Sequence, residues 1–225
     1  MDKESLLNEI ILIARDASSL IMKYYEGEIE VDEKTDGSPV TAADRAADAL
    51  IFPALEKLTP EIPIISEESF ADGHSPDVSG GTFWLVDPLD GTREYIRRNG
   101  DFTVNIGLIE NFEPTLGVVL TPVDGRTLKP AQSISRGSAL KFCLVARGEA
   151  DIYPRAGPTC EWDTAAGHAV LNAAGGTMTA FDGTPFRYGK SGAKFRNGMF
   201  IARGRDVQGA RSPNRRRSGL SWRER

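Results

Sequence analysis

Two short apolar runs end abruptly in carboxylates, and no other feature narrows the possible folds as much. Ile62-Pro63-Ile64-Ile65-Ser66 runs into Glu67-Glu68, and Phe83-Trp84-Leu85-Val86 runs into Asp87-Pro88-Leu89-Asp90-Gly91-Thr92. Each run is too short for a helix and long enough for a buried strand. Charge at the C-terminal ends of two such strands reads as an α/β sheet, where ligands collect at the carboxyl ends. Clustered carboxylates repel one another unless cations or protons are supplied. An all-oxygen donor set favours Mg²⁺ or a similar hard ion. Asp87 and Asp90 stand three apart across a turn begun by Pro88, so both can face one locus. The Leu89 carbonyl lies between them as a further donor.

The rest of the chain supplies a frame. Leu6, Ile10, Ile13, Ala17, Leu20 and Tyr24 recur at helical spacing, which predicts a helix over 3–25 ended by Gly27. Residues 28–40 read as an extended segment and loop. Thr41 suits an N-cap for a helix running to about Leu58, with Asp44 complementing its dipole. Phe102–Ile109 and Leu116–Leu120 read as strands, possible partners in a hairpin. Further strands are expected around Phe142–Ala146 and Ala150–Tyr153. A helix is expected from about Thr164 to Ala174, stopped by Gly175-Gly176.

The net charge of −5 conceals an asymmetry. From Arg203 onward eight Arg face Asp206 and Glu224, giving that end +6 and leaving −11 on the rest. An acidic body disfavours nucleic-acid binding and tolerates a site that concentrates carboxylates. No apolar stretch approaches the roughly 20 residues of a membrane span. The opening Met-Asp-Lys-Glu-Ser is unlike a secretory signal, so a cytoplasmic protein is expected. Membrane contact is peripheral at most, on the inner face. Cys143 and Cys160 lie outside any Cys-x-x-Cys pair, which argues against zinc and for reduced, structural thiols.

Three carboxylate groups stand out as chemistry: Glu67-Glu68, Asp87 with Asp90, and Glu161 with Asp163. Gly91-Thr92 follows the central pair at what reads as a helix or turn start, where free N–H groups cradle phosphate. The Thr92 hydroxyl can orient a water. Two Mg²⁺ ions about 3.5–4 Å apart would activate water and neutralise a leaving oxygen. No Ser, Cys or His stands in a nucleophile arrangement, so direct attack by water is expected. Each piece also has an ordinary reading. Asp-Pro-x-Asp-Gly is common turn chemistry. Glu67-Glu68 suits a solvated turn, Asp163 suits an N-cap, and His168 reads as structural.

The order of the pieces is more specific than any one of them. Val40-Thr41-Ala42-Ala43-Asp44, Ser66-Glu67-Glu68-Ser69, Trp84 to Thr92, and Glu161-Trp162-Asp163 together resemble the inositol monophosphatase family. Asp36-Gly37-Ser38-Pro39, Arg97 to Thr103, Gly137 to Cys143, and Tyr153-Pro154-Arg155 resemble its branch of 3'(2'),5'-bisphosphate nucleotidases. The resemblance covers about residues 1–202, read as one two-lobed domain, with 203–225 an Arg-rich tail expected to be disordered. It implies a layered α/β/α/β/α sandwich of the sugar-phosphatase type, its second half shortened here. It also implies a phosphatase using two or three Mg²⁺. Glu67, Asp87, the Leu89 carbonyl, Asp90 and Asp163 would be the metal ligands, and Asp44, Thr92 and Glu67 the catalytic groups. Glu67, Leu89, Asp90, Gly91, Thr92 and Asp163 would also meet the substrate phosphate, and Lys141, Tyr153 and Arg155 the nucleotide. The implied substrate is 3'-phosphoadenosine 5'-phosphate or its sulfated form, and the chain would act as a monomer or homodimer.

Two departures accompany the resemblance. Family members carry several dozen more residues where this chain runs Asp124 to Gln132. The Arg-rich end fits no motif, and a shifted reading frame and a weak polyanion-binding extension are both open. Two other functions therefore stand beside the first. One is a phosphatase of inositol monophosphate or fructose bisphosphate. The other is a shortened homologue that binds metal or phosphate without turnover.

Overall fold

The computed structural model describes residues 1–34, 37–123 and 138–205. In chain order the helices are α1 (Lys3–Glu26), α2 (Ala42–Leu58), α3 (Glu67–Ala71), α4 (Thr92–Ile96), α5 (Leu140–Ala146) and α6 (Ala165–Ala173). The strands are β1 (Val31–Glu33), β2 (Pro39–Thr41), β3 (Ile64–Ser66), β4 (Phe83–Asp90), β5 (Thr103–Glu110), β6 (Glu113–Leu120), β7 (Ile152–Arg155), β8 (Thr177–Ala180) and β9 (Phe200–Arg203). The Arg-rich end from 206 and the Thr35-Asp36 pair lie outside the described residues.

The central sheet has the order β3-β4-β5-β6, parallel between β3 and β4 and antiparallel elsewhere. Side chains alternate across it, as the two-residue strand period requires. Trp84, Val86, Val104, Ile106 and Leu108 point into a core under α1 and α2, while Phe83, Leu85 and Ile109 point into a second core under α5 and α6. With both faces covered, β4 is a near-continuous apolar run without polar alternation. A small antiparallel sheet, β7-β9-β8, closes the far side of α5 and α6. Four of the five expected layers, α/β/α/β, are therefore seen among the described residues.

Thr41 caps α2 through a capping box: its hydroxyl accepts from Ala43 N at 3.2 Å and Asp44 reaches back to Thr41 N at 2.8 Å. The strand expected around Phe142–Ala146 is instead helix α5. Leu140, Phe142, Cys143, Leu144 and Val145 are all buried, because α5 is wedged between α6 and the small sheet. A helix that is apolar all round leaves no 3.6-residue signal, and a short apolar run then passes for a strand.

The seating of α6 decides where the end of the chain's acidic set can stand. Gly107 and Gly117 face each other across β5 and β6. A Cβ on Gly117 would lie 2.5 Å from Ala166 O, and one on Gly107 would lie 2.8 Å from Ala166 N. The paired glycines thus form a flat seat on which the α6 backbone rests directly.

Candidate active site

The parallel pairing of β3 with β4 brings the first two carboxylates together. Ser66 is in register with Val86, so the next residues, Glu67 and Asp87, leave the sheet side by side. Asp163, just before α6, arrives from the layer behind. Glu67, Asp87 and Asp163 each place a carboxylate oxygen within 4.8 Å of the others.

Pro88 has no N–H to give the ladder, and the β4–β5 register shifts between Asp87 and Asp90. In that irregular stretch Leu89 N donates to Asp87 Oδ1 at 3.1 Å, and the Leu89 side chain is buried. Its carbonyl lies 3.4 Å from the Thr92 hydroxyl. Asp90 stands beside the three-carboxylate cluster. Its Oδ2 accepts from Ala139 N at 2.5 Å and from Asn105 Nδ2 at 3.1 Å.

Gly91 turns the chain into α4 with φ 97°, a conformation costly for a side chain. A Cβ there would also lie 3.1 Å from Asp101 O. Thr92 then opens α4, whose first-turn N–H groups have no partner inside the helix. The Thr92 hydroxyl donates to Asp44 Oδ1 at 3.0 Å. Asp44 Oδ2 accepts from the Thr41 hydroxyl at 2.5 Å and from Thr41 N at 2.8 Å. Asp44 is thereby locked, and it fixes Thr92 in turn.

The electrostatics are those of a crowded acidic pocket. Burial, then Glu67, Asp90 and Asp163, push Asp87 well above the usual carboxylate range. Burial, then Asp90 and Glu67, do the same to Asp163. Burial also raises Asp90, against the hydrogen bonds from Ala139 and Asn105. It raises Asp44 against those from Thr41 and Thr92. Glu68 is pushed up to about 7 by burial, with Lys34 opposing. Lys34 Nζ donates to Glu67 at 2.7 Å and Glu68 at 2.6 Å, Lys141 acts electrostatically on Asp90, and Arg155 acts on Asp163. Burial works against the Lys34 charge, but the two glutamates outweigh that and hold Lys34 above the usual lysine range. These three cations do not balance the five carboxylates Glu67, Glu68, Asp87, Asp90 and Asp163. The donor set therefore fits a divalent cation bound through oxygen.

Two cavities meet over the cluster. One, of about 450 Å³, is lined by Glu67, Asp87, Leu89, Asp90, Thr92 and Asp163. The other, of about 470 Å³, is lined by Arg93, Arg97, Lys141, Tyr153 and Arg155 and shares Asp90, Gly91 and Asp163 with the first. Lys141 lies 5.2 Å from the centre of the Tyr153 ring. Burial lowers its pKa while Asp90 opposes the shift. Burial pushes Tyr153 up to about 12. Arg155 Nη2 donates to Pro158 O at 3.3 Å, and its Nε is buried without a partner among the described residues. The residues expected as metal ligands, phosphate contacts and nucleotide contacts thus line one continuous depression, while Asp44 stands behind Thr92.

Other residues support this site and went unnoticed in the sequence. Asp48 accepts from the Ser66 hydroxyl and, at 2.9 Å, from the Ser69 hydroxyl, pinning the turn that carries Glu67. It lies one turn along α2 from Asp44, a spacing that puts both on one face. Thr103 and Asn105 are fully buried polar residues in the otherwise apolar β5, which is itself a signal. Lys34 and Arg93 carry no signal beyond their charge. Glu161 is absent from the cluster. It is fully buried and turns away to Lys190, Nζ at 2.9 Å. His168 accepts or donates one hydrogen bond, to the Tyr188 hydroxyl at 3.1 Å, and lies away from the cluster. Cys143 and Cys160 form no disulfide.

Known proteins resemble this chain in sequence and fold. The pattern of the inositol monophosphatase family matches residues 2–135 and 126–205, two pieces that overlap where the chain is short. The 3'(2'),5'-bisphosphate nucleotidase CysQ of Escherichia coli (strain K12) is 42% identical, over 81% of this chain and 94% of that protein. That alignment spans 231 positions, more than the 225 residues of this chain, so the relative carries a stretch lacking here. The enzyme of the same name from Buchnera aphidicola is 37% identical, over 88% of this chain and 93% of that protein. Among solved structures, CysQ from Bacteroides thetaiotaomicron superposes with a TM-score of 0.71 at 31% identity, covering 90% of this chain and 98% of that one.

Proposed function

We propose that this chain, which belongs to the inositol monophosphatase family, is a metal-dependent 3'(2'),5'-bisphosphate nucleotidase. It removes the 3'-phosphate of 3'-phosphoadenosine 5'-phosphate and leaves AMP. The observation that carries this reading is the junction of a carboxylate cluster with a cavity of about 470 Å³ that gathers Arg93, Arg97, Lys141 and Arg155 and the Tyr153 ring, with Glu94 and Asp101 among them. That volume suits a nucleotide-sized ligand. Lys141 and Arg155 face a second phosphate there, and Tyr153 offers a ring for the base.

Glu67, Asp87 and Asp163 would hold Mg²⁺, with Asp90 and the Leu89 carbonyl as further donors. Such ions would supply neutralisation of phosphate charge and activation of water. The chain's own residues orient the reaction. Thr92 donates its hydroxyl hydrogen bond to Asp44, so its lone pairs are left to accept a hydrogen bond from the attacking water and orient it. Asp44 cannot turn away, because Thr41 fills its other oxygen. The N–H groups at the start of α4 hold the scissile phosphate beside that water. Asn105 and Ala139 N fix the rotamer of Asp90. We place the enzyme in the cytoplasm; no helix among the described residues is long and apolar enough to cross a membrane.

Phosphate release from 3'-phosphoadenosine 5'-phosphate and from inositol 1-phosphate, measured side by side, tests the substrate. Faster release from the nucleotide with AMP as product is expected. Faster release from the inositol ester would overturn the choice.

A further inference from the structure

Asp163 faces a problem that Glu67 and Asp87 do not. Those two leave adjacent strands of one sheet, but Asp163 arrives on a turn from another layer, and it must hold its place to within a few tenths of an ångström to complete a cation site. The turn is Cys160–Thr164, and its internal bonds are modest. Asp163 Oδ2 accepts from Cys160 N at 2.8 Å, and Glu161 O accepts from Thr164 N and Ala165 N. Nothing in those bonds ties the turn to the rest of the molecule.

Backbone bonds tie it in part, Glu161 N to Phe195 O at 2.8 Å and Asn197 N to Thr159 O at 2.9 Å, and the Glu161 side chain adds a second, stiffer tie. Its carboxylate is fully buried, and every bond it makes reaches another segment. Oε2 accepts from Gly189 N at 2.8 Å, and Oε1 accepts from Lys190 N at 3.1 Å and Lys190 Nζ at 2.9 Å. The Lys190 ammonium is itself saturated. It also donates to Arg187 O and to Asn197 Oδ1, and it lies 4.4 Å from the Phe186 ring centre. Asn197 returns to the same turn, its Nδ2 donating to Cys160 O at 2.7 Å and to the Thr164 hydroxyl at 3.1 Å. The 188–190 segment is anchored in turn to the β5–β6 hairpin, where Tyr188 N donates to Phe112 O at 3.1 Å. The chain of bonds therefore runs from the turn of Asp163 to the sheet that carries Asp87.

We propose that Glu161 and Lys190 form a clamp that positions Asp163 for cation binding, so that both are positioning residues for the reaction. The proposal rests on the reading that Asp163 holds a cation. A surface ion pair would be worth little, but this one is buried at the glutamate end and hydrogen-bonded at every oxygen, so its geometry is stiff. Supporting residues of this kind typically govern metal affinity by 10–100-fold.

The test is calorimetric titration of Mg²⁺ or Mn²⁺ into wild type, Lys190→Met and the double variant Glu161→Gln/Lys190→Met, with metal-free melting curves alongside. Lys190→Met strands a buried charge and can unfold the chain. The double variant keeps an amide oxygen at position 161 to accept from one of the two backbone N–H groups and strands no charge, so it decides the matter in that case. A rise of at least tenfold in the dissociation constant is expected, beyond that of Ile10→Val, a core change remote from the site. Lower melting temperatures with unchanged cation affinity would overturn the clamp and leave a merely structural pair. A wild type that binds no cation would instead overturn the site reading, and the clamp with it.

Discussion

Replacing Gly117 by alanine tests how the fold delivers the last carboxylate. The new Cβ would lie 2.5 Å from Ala166 O and 2.9 Å from both Ala166 Cα and Ala169 Cβ, where ordinary contact begins at 3.4 Å. Two of these neighbours are helix backbone, which cannot rotate aside. The conflict is relieved when α6 lifts from the sheet by about 1 Å, the shortfall from normal van der Waals separation. Overpacking of this kind costs about 1–3 kcal/mol. For a domain of this size that lowers the melting temperature by roughly 3–10 °C. Asp163 stands two residues before α6 and moves with it, while Glu67 and Asp87 stay on the sheet. A displacement of about 1 Å at a reacting centre can cost on the order of 100-fold in rate. The assay is phosphate release at saturating Mg²⁺ well below the variant's melting temperature, with Gly80→Ala, which meets nothing within 4 Å, as control. Activity within twofold of wild type would refute the idea that this seat sets the position of Asp163.

Other perturbations read separate parts of the structure. Thr92→Ala removes the donor to Asp44 and should lower kcat by about 100-fold, whereas Thr92→Ser keeps the hydroxyl and should stay within about tenfold. Equal losses in the two variants would deny the hydroxyl its role. Burial, and then Lys190, depress His168 to about 4 in the folded chain. An unfolded histidine binds its proton near 6.5, so the unfolded state gains protons first as pH falls. Stability should therefore be full above pH 6.5 and drop by roughly 2–3 kcal/mol by pH 4.5. Urea denaturation of wild type and His168→Gln at pH 7 and pH 4.5 checks this, and parallel losses in both would contradict it.

Much of the arrangement was legible in the residues, for reasons that differ by element. The helices α1 and α2 face solvent on one side, so their buried stripes and caps are written in period and punctuation. The strands β3 and β4 were recognisable as apolar runs, and their terminal carboxylates marked the site. Their parallel register, which sets Glu67 beside Asp87, is a tertiary fact with no local trace. Helix α5 was misread for the same reason that it is stable: apolar contacts on every side erase the amphipathic signal. The roles of Glu161 and Asp163 could not be separated by spacing, because two acids flanking a tryptophan look alike until the fold turns one toward Lys190 and the other toward Asp87. Lys34, Asp48 and Asn105 act through partners 33, 18 and 15 residues away, and separations of that kind leave no pattern in a single chain.

The most direct measurement is the release of phosphate from 3'-phosphoadenosine 5'-phosphate by chelator-treated protein as Mg²⁺ is returned, for wild type and Asp87→Asn. With the Glu67, Asp87 and Asp163 cluster as the cation site, wild-type activity should rise from nothing to a plateau. Asp87→Asn should keep less than about 1% of it, an effect of the size expected when metal-assisted activation of water is lost. Turnover that persists without a divalent cation, or an Asp87→Asn variant as active as wild type, would contradict it.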